Sequence, residues 1–131
     1  MYRYFEKIRV RYSETDKMGF VYYGNYAQYF EMGRTELLRQ ANISYKKMEE
    51  DGLILPVYSM NTRYIKPAKY DDQLILKTFL KEKPSARIIF HYEIYNDQKE
   101  LICQAETTLV FVDTSKNRPV KIPQELLKKL S

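Results

Sequence analysis

The period of the apolar positions changes along the chain. Over residues 4–12 they alternate imperfectly, with Phe5, Ile8, Val10 and Tyr12 set among charged neighbours, which predicts a first strand. A polar, glycine-containing stretch follows to Gly24. From Asn25 the pattern shifts to spacings of three and four: Tyr26, Tyr29, Phe30, Gly33, Leu37, Leu38 and Ala41 form one stripe. That stripe predicts a helix over 25–41, about 25 Å long at ~1.5 Å per residue. Asn25 or Gly24 is its expected N-cap, the Asn side chain accepting from a free backbone N–H. A shorter helix over 44–50 is closed by Gly52. Four segments rich in Val, Ile, Tyr, Phe and Thr come next, at 53–66, 73–83, 86–96 and 101–113. Pro67, Lys83-Pro84-Ser85 and Asn96-Asp97 separate them as turns, so they read as sequential antiparallel strands. In the last of them Leu101, Cys103, Ala105, Thr107, Leu109 and Phe111 share a face whose small central residues leave room for a helix. Pro119 and Pro123 bracket an extension, and 124–130 reads as a terminal helix. The pattern therefore predicts an α+β fold, one long apolar helix wrapped by a mostly antiparallel sheet.

Composition narrows what such a fold can be. The chain has 131 residues, 44% of them hydrophobic, enough for one core and too few for two, so residues 1–131 read as a single domain. No repeat or low-complexity segment divides it. The net charge of +5 comes from 22 basic and 17 acidic residues, and the longest basic runs are pairs such as Lys46-Lys47 and Lys128-Lys129. That spread argues against nucleic acid or a membrane surface as partner, and only weakly for an anionic ligand. A lone cysteine, Cys103, cannot close an intrachain disulfide, and no Cys/His cluster offers a metal site. Charges interrupt the apolar residues of the first segment, which excludes a signal peptide there. These features lead us to expect a cytoplasmic protein.

Few residues are candidates for chemistry. His91 is the single histidine and falls on a strand face with Arg87 and Glu93, where a solvent-facing role is expected. Cys103 lies among Leu101 and Ala105 and reads as core. Nucleotide-binding glycine loops and zinc-protease motifs are absent from the sequence. The informative stretch runs from Arg11 through Tyr26. It sets a carboxylate, Asp16, just ahead of a helix start whose free N–H groups form a positive pole able to polarise a carbonyl oxygen. The aromatic run from Phe20 to Tyr26 would exclude water around it. Such a pairing suits hydrolysis of a thioester, whose thiolate leaves with little help from an acid. Asp near a helix start is also a common cap, and spacing alone leaves both roles open.

The residues Tyr12-Ser13-Glu14-Thr15-Asp16, Gly19-Phe20-Val21-Tyr22-Tyr23, Asn25-Tyr26, Phe30-Glu31 and Arg34 resemble the signature of hotdog-fold acyl-CoA thioesterases of the 4-hydroxybenzoyl-CoA thioesterase type. The segments from Tyr64 to Asp72 and from Ala105 to Asp113 extend the likeness over nearly the whole chain. The resemblance implies a hotdog fold with a long central helix inside a curved five-stranded sheet, and subunits paired as a dimer or tetramer with acyl-CoA sites at their interface. It places Asp16 at the catalytic acid, as nucleophile or general base. Tyr23 falls where a backbone N–H faces the thioester oxygen. Many relatives carry His there, so any role that needs an imidazole is lost and a backbone role survives. Tyr22, Gly24, Asn25 and Tyr26 are expected to shape the pocket or the start of the helix. Lys66, Lys83 and Arg87, with Lys69 and Lys81, are candidates for the CoA phosphates. No cofactor is implied. A hotdog dehydratase would need a histidine near the helix, and His91 lies on a distant strand. A non-catalytic acyl-binding protein and a thioesterase acting on acyl-carrier-protein remain as alternatives.

Overall fold

Alternation builds the first strand as expected. The computed structural model describes residues 2–130, and in it β1 (Arg3–Arg9) turns Tyr4, Glu6 and Ile8 inward and Arg3, Lys7, Arg9 and Phe5 outward. β2 (Leu53–Ile54) and β3 (Val57–Tyr64) follow the helical region, then β4 (Gln73–Phe79), β5 (Arg87–Tyr95) and β6 (Leu101–Val110). Five of these form one sheet in the order β1-β4-β5-β6-β3, every neighbouring pair antiparallel. Register shifts between Val57 and Ser59 and between Ile94 and Tyr95 bend the strands, the usual effect of an extra residue in a ladder.

The segment 53–66, expected as one strand, is two. Leu55-Pro56 breaks it, because proline has no N–H to give a ladder. The stretch 101–113 divides likewise at Phe111: β7 (Val112–Asp113) leaves the main sheet to pair with β2 and with β8 (Arg118–Pro119), an element the sequence did not suggest. The expected strand 73–83 stops at Phe79.

The helix α1 (Tyr26–Gln40) crosses the inner face of the main sheet over β1, β4 and β5. Tyr26, Tyr29, Phe30, Gly33, Leu37 and Leu38 are its buried stripe. Phe30 stacks on Tyr92 of β5 at 4.5 Å between ring centroids, and each such buried side chain is worth roughly 1.5–3 kcal/mol. Room for the helix comes from Gly33 rather than from the small residues of β6. A Cβ on Gly33 would lie 2.2 Å from Thr78 Oγ1 and 2.8 Å from Leu76 Cδ2, both on β4. The helix ends where Asn42 takes a left-handed conformation at φ 62°, and the Ile43 N–H bonds back to the Leu38 carbonyl. Ser44 caps α2 (Tyr45–Glu50) by accepting from the Lys47 N–H at 3.1 Å, and α3 (Gln124–Lys129) closes the described chain as expected.

His91 does not face solvent. It is 9% exposed, because Phe79 stacks on its ring at 5.5 Å and Glu82 folds back to place its carboxylate 3.2 Å from Nε2. Cys103 is buried in the core as expected. No helix among the described residues is long and apolar enough to cross a membrane.

Candidate active site

The segment between β1 and α1 is wound by its own hydrogen bonds. Asp16 Oδ1 accepts from the Met18 N–H at 2.9 Å and the Phe20 N–H at 3.2 Å, while the Asp16 N–H donates to the Phe20 carbonyl at 2.8 Å. Gly19, with φ at +83°, gives this turn a left-handed residue without the penalty a side chain would add. So Asp16 caps its own turn, not the helix. Its second oxygen, Oδ2, has no partner among the described residues and is left for whatever enters the cleft.

Two further bonds anchor the turn. The Val21 N–H donates to the Ala68 carbonyl at 2.8 Å and the Tyr22 N–H to the Glu14 carbonyl at 2.9 Å. A single 3-10 turn over Tyr23–Asn25 then leads into α1. Asn25 differs from expectation here: its side chain accepts nothing, and its Nδ2 donates to the Glu14 carbonyl at 2.8 Å. The first two amides of the turn, those of Tyr23 and Gly24, have no acceptor among the described residues, as geometry requires at a helix start. They form the positive end of the helical axis.

A cleft of about 310 Å³ opens beside this turn, lined by Asp16, Met18, Phe20, Tyr23, Tyr26 and Lys66 and walled by Tyr64, Ile65 and Pro67 from the end of β3. Tyr26 meets Tyr64 edge to face at 5.2 Å, closing the floor. Burial, reinforced by neighbouring Cys103 and Tyr64, holds the Tyr26 phenol above the ordinary tyrosine range; burial also raises Tyr64. Both therefore stay neutral donors at physiological pH. Beneath them Cys103 is pushed up to about 12 by burial alone, too high for a nucleophile.

Of the residues the sequence singled out, the structure brings Asp16, Tyr23, Tyr26 and Lys66 together. Tyr22 packs against Tyr23 at 4.8 Å between centroids, with Gly24 directly beneath its ring, where a Cβ would lie 2.8 Å from Tyr22 Cε2. Lys66 is ion-paired to Glu100, whose carboxyl it holds below the usual range. Lys83 and Arg87 stand elsewhere. The Arg87 guanidinium lies 4.4 Å from the Tyr58 ring, and Tyr58 is six residues up β3 from Tyr64, about 20 Å at ~3.3 Å per residue. Sequence reasoning passed over Tyr64, although alternation in β3 places it inward, and passed over Glu14. A larger groove of about 480 Å³ between α2, β7 and α3 has its lysines already engaged, Lys47 with Asp51 and Lys129 with the Asn42 carbonyl.

Residues 10–130, nearly the whole chain, match the family described as the thioesterase-like superfamily. The chain belongs to the thioesterase-like superfamily. It is 31% identical over 120 residues to the acyl-CoA thioester hydrolase YbgC of Escherichia coli O6:H1, covering 92% of this chain and 90% of that one. The solved structure of DHNA-CoA thioesterase from Staphylococcus aureus superposes with a TM-score of 0.87 at 35% identity, over 92% of this chain and 81% of that one. A 4-hydroxybenzoyl CoA thioesterase solved with 4-hydroxybenzoyl CoA shares the fold, with a TM-score of 0.89 over 100% of both chains at 19% identity. The five-stranded sheet around one long helix is the hotdog fold of these thioesterases.

Proposed function

We propose that this superfamily member hydrolyses acyl-CoA thioesters to a free carboxylic acid and CoA, with the Asp16 carboxylate as the reacting group and the Tyr23 amide, joined by that of Gly24, holding the carbonyl oxygen. The carrying observation is the carboxylate fixed by one oxygen, beside two amides at a helix start, with the other oxygen and both amides unpartnered among the described residues. Donors fixed in advance near a developing oxyanion lower the barrier without reorganisation. In one route Asp16 attacks the thioester carbon, the C–S bond breaks, CoA leaves as thiolate, and water cleaves the resulting anhydride. In the other Asp16 takes a proton from water, the hydroxide attacks the thioester carbon, and the C–S bond breaks to release the acid and the CoA thiolate. Tyr22 and Gly24 shape the mouth, Asn25 braces the helix start, and Tyr26 closes the floor.

The phosphate-binding residues fit a two-subunit site. β3 is an edge strand, and Val57, Tyr58, Met60, Tyr64 and Ile65 leave apolar surface exposed along it. An unpaired edge of that kind invites a second chain. Two β3 strands paired antiparallel about a two-fold axis would lay Lys83 and Arg87 of the partner subunit near Lys66 at the cleft. This is the homodimer we propose, with a tetramer built from two of them as the larger alternative.

Release of free thiol from a panel of short, long and aromatic acyl-CoA esters tests the reading. Asp16→Asn keeps Oδ1 and the turn, so it is expected to fold normally and lose about 10²–10⁴-fold in kcat. Wild-type turnover by that variant would sink the proposal. Label found in Asp16 after a single turnover in H₂¹⁸O marks the direct route, with water attacking the Asp16 carbon of the anhydride.

A further inference from the structure

Glu14 is a carboxylate at 7% exposure, and a buried charge is tolerated only when its oxygens are satisfied. Here they are. Oε1 accepts from the Arg11 backbone N–H at 2.8 Å and the Tyr29 hydroxyl at 2.9 Å; Oε2 accepts from Arg11 Nε and Nη2, both at 3.3 Å. The Glu14 carbonyl takes two more bonds, from the Tyr22 N–H and from Asn25 Nδ2. One residue thus grips the end of β1, the peptide just before the Tyr23 amide, the start of α1 and, through Tyr29, its first turn. Asp16 is two residues downstream on the same short chain.

We propose that Glu14 is a positioning residue, setting the distance between the Asp16 carboxylate and the Tyr23 and Gly24 amides. The inference rests on the catalytic reading of Asp16 given above. Its ground is that the two reacting halves of the site sit on different segments, the turn and the helix, and the Glu14 cluster is where those segments are tied. Stability alone does not require the ion pair, since the Arg11 guanidinium is largely exposed and pairs of that kind contribute little. Catalysis does require registration: a displacement near 1 Å at a reacting group can cost about 10²-fold in rate. Burial and the bond to Glu14 keep the Tyr29 phenol neutral, so it remains a donor throughout the working pH range.

Glu14→Gln, Glu14→Asp and Tyr29→Phe test this alongside Asp16→Asn, each assayed for kcat, KM and thermal midpoint on the same ester. Glu14→Gln removes the ion pair, Glu14→Asp withdraws the carboxylate by one methylene, and Tyr29→Phe deletes one bond without touching the loop. The expected result is a kcat lower by about 10- to 100-fold in both Glu14 variants and by about threefold to tenfold in Tyr29→Phe, with KM within about threefold and the protein folded at the assay temperature. Failure of Glu14→Asp to restore kcat would mark geometry rather than charge as the requirement. If kcat stays at the wild-type value in folded Glu14→Gln and Tyr29→Phe while Asp16→Asn is inactive, the positioning role is overturned and the Asp16 reading stands. If Asp16→Asn is itself fully active, the catalytic reading falls and takes this one with it. Should the Glu14 variants fail to fold, Tyr29→Phe decides alone: a full kcat overturns the role.

Discussion

Glu6 shows how a single side chain can work against the fold that holds it. It lies on the inner face of β1, and its Oε1 is buried without a hydrogen-bond partner among the described residues. Burial raises its pKa above the ordinary carboxylate value of 4.5. The native state therefore binds this proton more tightly than the unfolded chain does. What Glu6 contributes to stability is complete below the unfolded pKa and is lost as pH rises through the native one. At neutral pH the ionised group is a liability. Glu6→Gln is expected to raise the urea midpoint at pH 7.5, the advantage shrinking to nothing as the pH falls below 4.5; denaturation curves at three pH values check it. Other single residues were harder to read from sequence. Asn25 was expected to accept a bond as a cap and instead donates one to the Glu14 carbonyl, a reversal that follows from which groups lie across from it in space. His91 belongs to the outward row of β5, yet Phe79 from β4 and Glu82 from the following turn cover it, and alternation within one strand carries no word of its neighbours.

Elements were more legible because periodicity is repeated over many residues. The helix expected at 25–41 is α1, with the same buried stripe, and the sheet follows from the apolar alternation of β1, β4, β5 and β6. Their ends were not legible where a proline or a change of partner decided them, as at Pro56 and Phe111. The contact of α1 with β4 depends on one atom's absence. A methyl at Gly33 would overlap Thr78 and Leu76, both fully buried. Gly33→Ala gains helix propensity of about 1 kcal/mol. Overpacking costs about 1–3 kcal/mol and outweighs it. We expect a net loss of stability, seen as a lower midpoint at unchanged m-value in urea unfolding. An Ala variant as stable as the parent would mean that α1 slides on the sheet more easily than its packing indicates.

At the scale of the whole molecule the test falls on the proposed dimer. The sequence made Asp16 and the helix start readable as a motif, because those residues lie close along the chain. Tyr64 and Ile65 line the same cleft from about 40 positions later, and only the sheet order brings them there. Pairing through β3 would cover Met60, which faces inward at 49% exposure beyond the reach of α1. Met60→Lys sets a charge at that edge and is expected to shift the protein to monomer in light scattering, with thioester turnover falling in parallel. A dimer that survives the substitution with full activity would move the interface elsewhere. One last consequence follows from the buried sulfur of Cys103. Thiol reagents that colour on meeting CoA will not register the enzyme's own sulfhydryl while the chain is folded, so catalysis can be followed against a silent background. The same reagent, applied as denaturant rises, turns that one atom into a clock for the opening of the core.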